Sequence, residues 1–193
     1  IFQTLSDLEG SHRGLPKYWI QSNFPQPWKG GWWRLRDIVD YELIAARSLL
    51  KLASTHRQDW LKNQVLLGQR AIDRGKTVPP YAYVVPANQH DPIATYEMLR
   101  ILQEGGVELH RAERDFDADG VSYPRGSHVV LMAQPYRAHA KDLLERQRYP
   151  DRRVGGEDGP PERPYDVTGW TLPLQMGVRT VEVVDPFDAD LTI

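Results

Sequence analysis

From Asp37 onward the apolar residues keep a helical spacing: Ile38, Tyr41, Ala45, Leu49, Leu52 and Ala53 recur at steps of three and four. Asp37 stands where an N-cap belongs. Leu61, Val65 and Ile72 continue the apolar face, so one long helix or two joined ones extend to about Arg74. Gly75, with Pro79 and Pro80 beyond it, is the expected stop. Upstream the pattern has neither helical nor strand period. Trp19, Trp28, Trp32 and Trp33 stand among Pro16, Pro25, Pro27, Gly30 and Gly31, which predicts an ordered loop pinned by aromatic rings.

Downstream the period changes again. Tyr81 to Val85 is a short aromatic and β-branched run, and Asp91 followed by Pro92 supplies an N-cap and a proline at the first helical position. Ile93, Tyr96, Leu99, Arg100 and Leu102 form one helical face, Gly105 and Gly106 end it, and Val107 to His110 predicts a second strand. A strand, helix, strand unit of this kind implies parallel strands and a right-handed crossover. After a turn at Asp117-Ala118-Asp119-Gly120, His128 to Ala133 forms a third strand, and Pro135 opens a helix to about Glu145. Two such units in succession predict an α/β fold with an open, mostly parallel sheet flanked by helices. Residues 151–164 are dense in Pro, Gly and charge, as a linker is. Val167 to Met176 gives a short helix interrupted by Pro173, and Thr180 to Val184 a last strand. The organisation is therefore an aromatic-rich loop segment (1–36), a helical segment (37–78) and an α/β domain (79–193).

Composition narrows the function classes. With 40% apolar residues in 193, the chain has the material for a sizeable core in one or two domains. Twenty-four basic against 26 acidic residues, with no long block of either sign, argue against a nucleic-acid partner or a polybasic membrane patch. The absence of cysteine removes disulfides, thiolate metal sites and a cysteine nucleophile. No apolar run reaches the roughly 20 residues of a membrane span, and no signal-like apolar segment follows Ile1, so the chain is expected to be a processed or excised piece of a longer protein.

Candidate chemistry sits at strand ends, because open α/β sheets bind ligands beyond the carboxyl ends of their strands, near helix N-termini. Asn88, Gln89 and His90 end one strand; Gln134, Tyr136 and Arg137 end another. If those strands are neighbours, the six residues line one crevice. The alternative is that they cap helices and pin loops. The tryptophans offer two readings as well, exposed platforms for sugars or peptides, or burial of one ring of the Trp32-Trp33 pair while Arg34 and Arg36 stack or pair with Asp37 and Asp40. Glu9, His12 and Arg13 read as a salt-bridge group in a loop, His128 as a strand-edge residue, and His139 with Asp142 and His56 with Asp59 as solvated helix pairs.

Four stretches carry a resemblance: NFPQPWKGGWWRLRDIVDY (23–41), YAYVVPANQHDP (81–92), GSHVVLMAQPYRAHAKDLLE (126–145) and PYDVTGWTLPLQMGV (164–178). Together they resemble the region that follows the metallopeptidase core in large bacterial M14-type zinc carboxypeptidase-like proteins. The second half looks like the class I glutamine-amidotransferase-like domains attached to some of those proteins, which implies a flavodoxin-like sheet. Active amidotransferases of that kind place a cysteine on the strand-to-helix elbow; here the elbow reads Met132-Ala133-Gln134-Pro135-Tyr136-Arg137 and that chemistry is excluded.

The M14 resemblance implies zinc in the parent protein, held by His-x-x-Glu and a later His. One literal match occurs here, His110-Arg111-Ala112-Glu113, but its flanks differ from the family's zinc-binding segment, and the later histidines, His128 and His139, follow too closely. A surface His and Glu at a strand end is the better reading, so this chain is expected to have no catalytic residue and no cofactor of its own. The resemblance further implies an upstream peptidase domain as partner and an extracellular or periplasmic location; a homo-oligomer stays open. Three functions follow from different classes: an accessory region that packs on or regulates the peptidase core, an autonomous small-ligand-binding domain, and a degenerate metal-dependent hydrolase.

Overall fold

The first paired strands are set by tryptophan. In the computed structural model, which describes residues 1–4, 18, 20–22, 24–148, 150–162 and 169–193, the chain divides into units of residues 1–61 and 62–193. Within the first unit, β1 (Phe2–Gln3) pairs antiparallel with β2 (Gly31–Trp32). Phe2 meets the Trp32 ring edge-on at 5.6 Å. Trp33 is half-buried between Trp28, edge-on at 5.6 Å, and Tyr41, stacked at 5.6 Å. Trp32 instead stays exposed beneath the Arg34 guanidinium, 5.7 Å from its ring centre. One ring packs and its neighbour carries an arginine, as the alternation of tryptophan and arginine implies. Pro16, Trp19 and the Glu9, His12, Arg13 group lie outside the described residues.

Two helices follow, α1 (Leu35–Thr55) and α2 (Arg57–Thr77). Asp37 does not cap α1 from outside. Arg34 holds the N-cap position, and Asp37 reaches back from the third helical position to accept its backbone N–H at 2.7 Å. At His56 the two helices join through its backbone: its N–H donates to Leu52 and its carbonyl accepts from Trp60, both at 3.0 Å.

The second unit is built on a five-stranded sheet of order β8-β3-β7-β4-β9. Its strands are β3 (Ala82–Val85), β4 (His110–Ala112), β7 (His128–Leu131), β8 (Val181–Val183) and β9 (Leu191–Thr192). Every neighbouring pair is antiparallel. The mostly parallel, flavodoxin-like or amidotransferase-like sheet expected from the sequence is therefore not formed, although the chain is of mixed α and β structure. The reason is topological. Helix α3 (Pro92–Glu104) does carry the chain from β3 to β4, but β4 lands one position away, and β7 enters the gap running the other way. What joins β4 to β7 is no crossover helix but a hairpin, β5 (Phe116–Ala118) and β6 (Val121–Tyr123). The result is a split β-α-β arrangement.

Register then allots the core to two faces. Tyr83 pairs with Val130, and Val85 with His128; Ala82 pairs with Leu131, and Val84 with Val129. Tyr83, Val85 and Val130 pack with Met98, Leu99 and Leu102 of α3, and with Ala140 and Leu144 of α4 (Arg137–Leu144). Ala82, Val84 and Val129 pack on the other face with Phe116, Ala118 and Tyr123 of the hairpin. A sheet buried on both sides explains why β3 is apolar throughout rather than alternating.

Local chemistry fixes the joints. The Asp91 carboxylate accepts from Ile93 and Ala94 N–H at 2.9 and 3.0 Å, capping α3 before its first-turn proline. Asp119 and Gly120, at φ +48° and +72°, form the two-residue connection of the hairpin, the left-handed pair that suits the strand twist. The Asp119 carboxylate then accepts from Val184 and Asp185 N–H at 2.7 and 2.9 Å, tying the turn to the end of β8. The short helix near the C-terminus is α5 (Leu172–Met176), ended by Gly177 at φ +66°; the portion expected over 167–168 lies outside the described residues.

Gly75 does not stop α2, which continues to Thr77. It is the one buried residue of that helix, and a Cβ there would overlap the Met132 carbonyl and the Ala133 nitrogen. Close backbone approach, not helix termination, requires this glycine. Gly75→Ala is expected to lower unfolding stability by about 2–3 kcal/mol through forced displacement. Gly68→Ala, whose Cβ would meet Pro135 at an ordinary 3.7 Å, should be neutral or stabilising by up to about 1 kcal/mol. Urea midpoints of the two variants check both.

Candidate functional site

The antiparallel pairing of β3 and β7 separates the residues expected to share a crevice. Val85 faces His128 at one end of the pair and Ala82 faces Leu131 at the other. Asn88, Gln89 and His90 therefore leave the sheet at the end opposite to Gln134, Tyr136 and Arg137. No single crevice gathers all six.

Several of these side chains are fastened to backbone. The Gln89 amide donates to the carbonyls of Pro86 and Arg179 at 2.9 and 2.8 Å and accepts from Arg179 N–H at 2.9 Å, stapling the β3 exit to the approach of β8. Buried Gln134 accepts from Glu108 N–H at 2.8 Å and donates to the carbonyls of Glu108 and Leu131 at 3.2 and 2.6 Å, so its side chain serves as a substitute strand partner. Arg137, also buried, donates to the carbonyls of Val78 and Pro79, both at 3.2 Å. Burial lowers its pKa, with Arg74 adding and Tyr83 opposing. Tyr136 packs its ring beside Gly106, where a Cβ would come within 3.1 Å. Asn88 and His90 are exposed.

His110 and Glu113 do not form a ligand pair. His110 sits on β4, with Nδ1 buried and without a hydrogen-bond partner. Glu113, just past the strand, accepts from the Thr192 hydroxyl at 2.9 Å and stands 3.9 Å from the Arg125 guanidinium. Three residues apart share a side on a helix but not along extended chain. Among the described residues no group of three or more His, Asp or Glu is placed to hold a metal ion. Nor is any described helix long and apolar enough to cross a membrane.

Two features stand out instead. The first is α1, which has no buried residue. Leu35, Tyr41, Ile44, Leu49 and Leu50 are each more than 60% exposed, and Ile38, Val39, Leu43 and Leu52 are exposed too. At about 100° per residue these positions, Ile44 apart, sweep roughly half the helix circumference, wider than the stripe a single neighbour needs. Arg36, Asp40, Arg47 and Lys51 hold the opposite, charged side. Trp60, Leu61, Val65 and Leu67 of α2 are likewise exposed. Periodicity alone reads these residues as a core-facing stripe; only burial reveals that the stripe is uncovered.

The second feature is electrostatic. Burial pushes the Tyr83 phenol pKa well above its ordinary value, with Glu182 and Glu145 adding and Arg137 opposing. His128 moves the other way: burial first, and then Arg111 directly across from it in the sheet, hold its pKa below 6.5. Neither residue spacing nor motif marks Arg111, because its neighbour is 17 positions away and is met only through register.

Comparison with protein-family models, with curated proteins and with solved structures finds no match.

With its pKa lowered, His128 in the folded chain resists protonation. The unfolded chain takes up the proton first on acidification, so the stability that neutral His128 gives is fully present above about pH 6.5 and is lost as pH falls toward the folded value. Thermal unfolding between pH 7.5 and 5 is expected to show this loss, and His128→Gln should flatten the slope.

Proposed function

We propose that this chain is an accessory, non-catalytic region of an M14-type metallocarboxypeptidase-like protein, and that the apolar side of α1 docks on the peptidase core. The observation that carries this reading is α1 itself: 21 residues of helix with no buried position and nine exposed large apolar side chains. An apolar area of that extent marks an interaction surface rather than ordinary solvent-facing helix. The resemblance of 23–41, which ends within α1, names the occupant. In this reading any zinc of the assembled protein, and the activation of water for peptide hydrolysis that it would supply, belong to the core. Here the strand-end polar groups serve as backbone pins, with Gln89, Gln134 and Arg137 all committed to carbonyl or amide partners. Regulation would act through docking rather than through chemistry on this chain.

Two measurements bear on it. The purified chain is expected to carry far less than one equivalent of zinc by plasma mass spectrometry and to leave a peptide with a free C-terminus intact. Zinc near one equivalent, with cleavage of the free but not the C-terminally blocked peptide, would overturn the proposal and make His110 and Glu113 the residues to mutate. Separately, Leu49→Glu with Leu50→Glu should weaken association with an M14-type core supplied in trans by at least about tenfold, roughly 1.4 kcal/mol. Because both residues are already exposed, the melting temperature of the isolated chain should not fall. Undiminished association would remove α1 as the docking surface.

A further inference from the structure

The helix-side face of the sheet sets an arginine beside a histidine. Arg111 on β4 and His128 on β7 are register partners. His128 shares its face with Val85, Tyr83 and Val130, so both point toward α3. There a cleft of about 240 Å³ opens, with Tyr96, Leu99 and Gln103 of α3 on one wall, Leu109, His110, Arg111 and His128 on the other, and Ile193 also lining it.

Like charges directly across antiparallel strands destabilise a sheet, so protonation of His128 beside Arg111 is opposed, and no acidic side chain lines the cleft to offset it. The other charged groups nearby are already engaged. Arg100, also on the α3 wall, bonds Glu97 at 3.0 Å and pairs with Glu104. Glu113 accepts from Thr192 and faces Arg125. Opposite His128 on its other edge β3 presents only Val85. Among the described residues Arg111 has no ion pair, and its guanidinium lies over Gly126, 3.5 Å from where a Cβ would stand. A planar guanidinium with open donors takes a carboxylate or phosphate through two parallel hydrogen bonds. The protonated imidazole beside it adds a third donor. Around this head, Leu99 and the half-buried Leu109 give an apolar bed, with the Gln103 amide and Tyr96 hydroxyl at the margin. The volume falls just below the usual range of ligand pockets, about 300–1,000 Å³, which limits the occupant to a small molecule.

We propose that the cleft between α3 and the β4–β7 pair binds a small organic anion, its carboxylate or phosphate head between Arg111 and His128 and its apolar body on Leu99 and Leu109. Once His128 is protonated, binding places a negative charge between two positive ones. It therefore strengthens as pH falls through the range in which His128 takes its proton, and it raises the titration midpoint of that ring.

The test is a titration of the intact chain, followed by the NMR resonances of the His128 ring, with benzoate, phenyl phosphate and the uncharged analogue benzamide. Saturable shifts with a dissociation constant below about 1 mM are expected for at least one anion, with a raised His128 midpoint and no response to benzamide. The tighter of the two anions assigns the head group. Arg111→Gln should weaken binding at least tenfold without lowering the melting temperature, since the side chain is exposed; Arg111→Lys, which keeps charge but loses the fork, should fall between. His128→Gln should abolish the pH dependence of binding, followed then by the amide resonances of Gln103 and Leu109. Shifts that persist in Arg111→Gln, that grow linearly without saturation, or that benzamide reproduces would each overturn the proposal, as would the absence of any shift up to about 10 mM anion.

Discussion

Strand β7 is hydrogen-bonded on both edges, to β3 on one side and β4 on the other, and its register with β3 assigns nearly every buried side chain of the second unit to a face. Because side chains alternate along a strand, a slip of one residue would carry Val130 to the hairpin side and Val129 to the helix side, exchanging the two cores at once. The alternation is sharp where it matters. Tyr83, Met98, Leu102 and Met132 fill one layer, and Phe116, Tyr123 and Phe187 stack in the other, with ring centres 5.2 and 5.7 Å apart. The register of the other edge of β7, with β4, sets Arg111 beside His128. Core and cleft thus rest on the two edges of one strand.

Much of the local structure was legible in the residues themselves. The Asp91-Pro92 start and the Gly105-Gly106 end of α3 carry their own chemistry, and the structure follows them closely. The helical spacing after Asp37 holds as well, although Asp37 works from inside the helix rather than as its cap. Strand order was not legible. A strand followed by a helix looks the same whether the next strand lies beside it or one place away, and the difference here is made by Phe116 to Tyr123. Those three-residue strands are too short to show a period, and their Asp-Gly turn was visible without the hairpin it closes.

The strand-end polar residues tell a related story. That Gln89, Gln134 and Arg137 matter could be inferred from their place after strands. Their partners could not, since Gln134 reaches 26 residues back to Glu108, Arg137 58 and 59 residues back to Pro79 and Val78, and Gln89 90 residues ahead to Arg179. Backbone amides and carbonyls leave no trace in a side-chain pattern. Polar groups buried in this way specify one arrangement, because a misplaced loop would leave a desolvated amide or guanidinium without its bond. Their role in the second unit is to fix geometry, whereas in the first unit it is the aromatic contacts of Trp28, Trp33 and Tyr41 that do so.

The Asp119 turn joins two parts of the sequence that folding would otherwise leave independent. An isolated two-stranded hairpin is marginal in water, yet here its tip is bound through one carboxylate to Val184 and Asp185, past the far edge of the sheet from β9. The amide protons of β5 and β6 should consequently exchange with solvent at the pace of β8 rather than at that of a fraying loop. The hairpin and the sheet edge open together, as one cooperative unit.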